Sequence, residues 1–153
     1  MYVKAAKRAT FPKFPTEVTP AAENRYMTAQ QLTRMAAEAG VKLIVSTDSA
    51  GGVRLPGFSA VDELILFAQA GLKPLDVLQA GTLNPVLLLK QDKSLGTVTA
   101  GKLADLVLLD GDPLEDMQNL RRVAAVIADG KVFETAERQA LFDAVVQDAR
   151  KPN

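Results

Sequence analysis

One short run constrains this chain more than any other: Leu43-Ile44-Val45, three consecutive apolar residues inside Val41–Ser46. An uninterrupted apolar run of this length predicts a strand buried on both faces, which needs strands along its edges and helices over its faces. The flanking residues predict such helices. Thr28 and Gln31 form a capping box, Leu32, Met35 and Ala36 share a face, and Gly40 suits the C′ position, so Thr28–Ala39 reads as helix. After the strand, Thr47-Asp48-Ser49-Ala50-Gly51-Gly52 opens a loop that passes Pro56 and Gly57. Ser59 and Asp62 then form a second capping box for a helix ending near Gly71. Pro74 fits the first turn of a third helix carrying Leu75, Val77 and Leu78, and Asn84-Pro85 caps a short fourth one ending near Leu89. Helix, strand, loop and helix in that order form a βα unit.

Beyond Lys90 the pattern changes to strands. Gly96–Val98 and Leu103–Leu109 are predicted as strands around a turn at Thr99–Lys102. Val123–Ala128, Asp129-Gly130 and Lys131–Phe133 predict a hairpin, because Asp-Gly accepts the positive φ angles of a type I′ turn. Leu141, Phe142, Val145 and Val146 have the spacing of a C-terminal helix ending near Ala149. The first 24 residues hold Pro12, Pro15 and Pro20 with little apolar periodicity, and read as an irregular arm. The expected organisation is therefore an arm (1–24), a βα part (25–92) and a β-rich part with a closing helix (93–153).

Composition removes several classes of function. Lys plus Arg and Asp plus Glu are both 18, so there is no charge bias toward nucleic acid or anionic membrane. Cysteine is absent, which excludes disulfides and thiolate metal sites. Histidine is absent as well. That excludes Ser-His-Asp, Cys-His and His-X-His schemes, and removes the commonest protein ligand for zinc. No apolar run approaches the roughly 20 residues of a membrane span, and Met1–Thr10 has no apolar signal region. A soluble, cytoplasmic protein is expected.

Several motifs carry a resemblance when taken in order. They are Ser46-Thr47-Asp48-Ser49-Ala50-Gly51, Gly57-Phe58-Ser59 with Glu63-Leu64, Ala70-Gly71-Leu72-Lys73-Pro74-Leu75, and Thr82-Leu83-Asn84-Pro85. Leu95-Gly96-Thr97-Val98, Gly101-Lys102-Leu103-Ala104-Asp105-Leu106-Val107, Gly111-Asp112-Pro113-Leu114 and Val126–Val132 follow. The set resembles the amidohydrolase superfamily, especially its imidazolonepropionase-like and prolidase-like branch, over about Met27 to Phe133. The resemblance implies an α/β fold: the end of a (β/α)₈ barrel (its last strand with the attendant helices), a small β-segment of a composite β-sandwich, and a C-terminal helix. At 153 residues the chain is well short of the about 250 of a complete barrel, so the likeness is to part of the fold.

The resemblance also implies a chemistry. Family members use one or two divalent metals, zinc foremost, to activate water for attack on an amide, lactam or ester carbon. Of the family's ligands only the aspartate after the last strand has a counterpart here, Asp48. By resemblance, Asp48 binds metal and takes a proton from the attacking water. Read locally, Asp48 caps a turn in a loop rich in Gly and Ser. Val61 stands where many relatives have histidine, a departure from the pattern. Lys102 and Asp105 read as structural residues of the β-segment. Asp110, Asp112, Glu115 and Asp116 lack calcium-loop spacing and read as a solvated turn. The chain alone is expected to bind no metal and to be inactive. Its expected partners are a second copy or a complementary chain supplying the rest of the barrel, with a small amide, lactam or ester as substrate; neither nucleic acid nor membrane is expected. The alternatives are a non-catalytic interaction protein and an autonomous hydrolase built on Asp48, Asp62 and Glu63.

Overall fold

The computed structural model of the chain describes residues 18–48 and 57–151. Helix α1 spans Pro20–Glu38. Thr19 caps it, its Oγ1 accepting from the Ala22 N–H at 3.2 Å, and Pro20 takes the first turn, where its missing N–H costs nothing. The helix thus begins inside the stretch expected to be irregular, well ahead of Thr28. The Thr28–Gln31 capping box is not formed. Thr28 Oγ1 instead donates to the Asn24 carbonyl at 2.8 Å, the back-bonding of a threonine in a helix interior.

At the other end of α1 the N–H of Gly40 (φ 78°) meets Ala37 O and that of Val41 meets Ala36 O, at 2.9 and 3.0 Å. This is a Schellman motif, as the glycine predicts. Helix α2, Phe58–Gln69, begins after Gly57 (φ 88°) with no side-chain cap, so the Ser59–Asp62 box is not made either. It closes on a second Schellman motif at Gly71. Helix α3, Pro74–Gly81, begins at Pro74 as expected, and α4, Leu83–Leu88, follows Thr82. Asn84 lies inside α4 and does not cap it.

The core lies where these helices meet. Val77 is fully buried, and Ile65, Ala70, Leu72, Ala80 and Met117 are buried as well. Leu43, Val61, Leu64, Phe67, Leu78 and Leu120 pack around this cluster. Burying a side chain such as Val77 contributes about 1.5–3 kcal/mol, so this helical cluster is a substantial source of stability.

The run Val41–Ser46 is not a paired strand. Leu43, Ile44 and Val45 are half-buried, and the segment 41–48 is tied by Val45 N–H donating to Ala80 O (2.9 Å) and Asn84 Nδ2 donating to Leu43 O (2.8 Å). An apolar run becomes a strand only where another strand lies beside it, and none does among the described residues. Gly96–Val98 is also not a strand. Its loop folds back on itself, with Leu103 N–H donating to Ser94 O at 2.9 Å.

The sheet that forms is antiparallel and three-stranded, in the order β1 (Leu106–Leu109), β2 (Val123–Ala128), β3 (Lys131–Phe133). Leu106 pairs with Ile127 and Leu108 with Ala125, and a bulge follows Leu108. Ile127 pairs with Val132 across the hairpin, whose Asp129 and Gly130 have φ of 48° and 74°, as the type I′ turn requires. A 3₁₀ helix, Met117–Arg121, leads into β2 and sends Met117 into the helical core. Helix α5, Thr135–Arg150, docks through Arg138, whose Nη2 donates to Val123 O at 2.6 Å. Phe142 meets Phe58 edge to face, with centroids 5.6 Å apart. The architecture is α/β, with one helical cluster and one small sheet.

Candidate functional site

Asp48 ends the segment that leaves α1, and its position follows from the contacts behind it. The Schellman turn at Gly40 redirects the chain, Asn84 of α4 holds Leu43 O, and Ala80 of α3 holds Val45 N–H. Asp48 is exposed and has φ 45°, a left-handed conformation that aspartate tolerates better than most residues. The rest of its motif, Ser49-Ala50-Gly51-Gly52, lies outside the described residues.

Asp62, the second carboxylate singled out in the sequence, has a partner of its own. Asp62 Oδ1 accepts from Arg121 Nη2 at 2.6 Å, which ties α2 to the 3₁₀ helix. Among the described residues no three His, Cys, Asp or Glu side chains are grouped so as to hold a metal ion. A structural or catalytic metal centre needs three or four protein ligands. The described residues therefore do not by themselves make up a site for the divalent metal that the resemblance implies; among those residues Asp48 is the one counterpart of a family ligand.

Other residues singled out in the sequence have structural partners. Asp105 Oδ1 accepts from the Asp129 N–H at 3.2 Å and braces the hairpin turn. Lys102 turns away from that contact: its Nζ donates to Asp92 O, Leu95 O and Thr97 Oγ1. Asp112 Oδ1 accepts from Leu114 N–H at 2.7 Å, and Asp116 Oδ1 from Gln118 N–H at 2.8 Å, capping the 3₁₀ helix. The acidic cluster serves turns, as its spacing predicts.

A cavity of about 240 Å³ is lined by Lys42, Leu43, Asp76, Gln79 and Asn84, among others. It lies at the start of the 41–48 segment, not at its Asp48 end. Asn84 is the residue that sequence reasoning misread. It reads as a cap beside Pro85, whereas its amide reaches back 41 positions to Leu43. No local pattern signals a contact of that range.

These positions can be set against known proteins. Residues 4–133 match the amidohydrolase family. The imidazolonepropionase of Shouchella clausii (strain KSM-K16) is 33% identical over 114 residues, covering 69% of this chain and 24% of that protein. Among solved structures, a Xaa-Pro dipeptidase with methionine bound in its active site superposes with a TM-score of 0.66 at 30% identity, over 87% of this chain and 32% of that one. Bottromycin amidohydrolase superposes with a TM-score of 0.70 at 26% identity, over 88% and 30% respectively. The chain thus spans about a quarter of the curated relative's length and about a third of each solved chain. Because the family match takes in both the helical cluster and the sheet, and includes Asp48, the chain belongs to the amidohydrolase family.

Proposed function

We propose that this chain is one part of a hydrolase acting on carbon–nitrogen bonds of small molecules, with Asp48 as its contribution to the reaction centre. The observation that carries this reading is the family match across residues 4–133, with Asp48 at the end of the segment that α3 and α4 hold. Amides, lactams and dipeptides are the substrate classes in view, with esters beside them. The remaining strands and ligands come from another chain or from a second copy. The ligands described here do not make up a metal centre, so no catalytic step is assigned to this chain alone.

Support for a partner comes from the surface. Val107, Leu108 and Val132 of the sheet and Leu141, Phe142 and Val145 of α5 are exposed apolar side chains, which favour association. The partner is a protein of the same fold family; neither nucleic acid nor membrane belongs to this reading, and the place of action is the cytoplasm. Among the described residues no helix is long and apolar enough to cross a membrane.

The absence of histidine from the sequence favours a second reading, a non-catalytic interaction protein that retains this part of the fold. Elemental analysis after purification without chelators, paired with turnover of a lactam, dipeptide and ester panel, separates the two. Stoichiometric metal with turnover that Asp48→Asn abolishes supports the hydrolase. Neither metal nor turnover, from the chain alone and from any complex it forms, overturns it in favour of the interaction protein.

A further inference from the structure

The loop between α4 and β1 is organised around one charged group. A lysine ammonium has three N–H donors, and those of Lys102 go to Asp92 O (2.5 Å), Leu95 O (3.1 Å) and Thr97 Oγ1 (2.7 Å). None of these acceptors is a carboxylate. Three neutral oxygens from separate points of one loop converge on a single cation, and without it their dipoles point at one another across an empty centre.

The same loop touches the helices. The third Schellman motif, at Lys90 and Gln91, closes α4, and Gly96 lies so close to α4 that a Cβ built on it falls 3.3 Å from Leu83 Cα. Leu103 N–H then returns to Ser94 O just before β1. Lys102 therefore ties the loop to itself through its hydrogen bonds, whereas Gly96 sets the loop against α4.

We propose that residues 92–102 form an oxygen nest for an ammonium ion, that the Lys102 side chain is its tethered occupant, and that a nest emptied by truncation accepts a free primary alkylammonium. The inference is independent of the hydrolase reading, since it concerns neither Asp48 nor turnover. It makes Lys102 a positioning residue for the junction of helices and sheet.

The test uses the full chain. In the wild type, ¹⁵N-detected lysine side-chain spectra are expected to show slowly exchanging Nζ protons for Lys102, set apart from the solvent-exposed lysines. In Lys102→Ala, amide exchange at Leu95 and Leu103 is expected to accelerate by at least about tenfold, because hydrogen bonds to a charged donor are stronger than neutral ones. Propylammonium chloride replaces the missing atoms and restores much of the protection. Tetramethylammonium chloride at equal ionic strength, with charge but no N–H donor, does not. Unchanged exchange in the variant, or equal response to the two salts, overturns the proposal. If Lys102→Ala does not fold, the wild-type spectrum decides, and Nζ protons that exchange like those of exposed lysines overturn it.

Discussion

Replacing Gly96 by alanine tests the packing of the loop on α4 directly. Gly96 has φ 88°, and an added Cβ overlaps Val86 Cγ2 and falls 3.3 Å from Leu83 Cα and 3.5 Å from Thr82 O. Two costs therefore add. Holding an alanine in left-handed backbone costs about 1–2 kcal/mol. The forced contact adds about 1–3 kcal/mol, because Val86 is β-branched and stiff and the crowded Leu83 atom belongs to the backbone, whereas Thr82 O lies at ordinary contact distance. Gly101 has almost the same φ, 89°, with nothing within 4 Å of where its Cβ would stand, so Gly101→Ala carries the strain without the clash. Thermal unfolding followed by circular dichroism is expected to place Gly96→Ala about 3 kcal/mol below the wild type, roughly 6–12 °C in Tm for a domain of this size. Gly101→Ala is expected to lose about 1–2 kcal/mol. Adding Val86→Ala to Gly96→Ala removes the offending methyl, so the double mutant loses less than the sum of the singles. Equal losses for the two glycines, or strict additivity with Val86→Ala, refute the close approach of loop and helix.

Three further outcomes are expected. Lys90 occupies the left-handed C′ position of α4 with φ 57°, so Lys90→Gly is expected to raise stability by about 1 kcal/mol, read as a higher Tm. Arg138→Met removes the donor on Val123 O, at a cost of about 1.5–3 kcal/mol for a charged hydrogen bond, but it also removes a buried Nε that has no partner among the described residues. A net loss of about 1–2 kcal/mol in denaturant unfolding is expected, with faster amide exchange in α5; unchanged exchange there contradicts the docking role. Asp48→Asn keeps a residue that tolerates φ 45° at an exposed site, so its stability change is expected within about 0.5 kcal/mol, and a large fall in Tm contradicts this.

Features governed by one or two residues were legible in advance. The hairpin at Asp129-Gly130, the glycine stops at Gly40 and Gly71 and the start of α3 at Pro74 all follow from dihedral preferences that act within a turn. The two capping boxes failed because the pattern is short and recurs by chance. Thr28 and Gln31 sit inside a helix that Thr19 and Pro20 start better, and Asp62 is drawn to Arg121, 59 positions away. Sequence also marked Asp48 as the candidate site residue through motif order, without showing what would surround it.

By itself, the sequence determined the local turns, the membership that ordered motifs carry, and the exclusion of histidine and cysteine chemistry, since these depend on residue identity and near neighbours alone. Tertiary structure decided that Val41–Ser46 stands without a paired strand among the described residues, that Asn84 serves Leu43, and that Lys102 meets three loop oxygens in place of a carboxylate. Each of these depends on where distant segments come to rest, which is set by the packing of the whole chain and by no periodicity within a window.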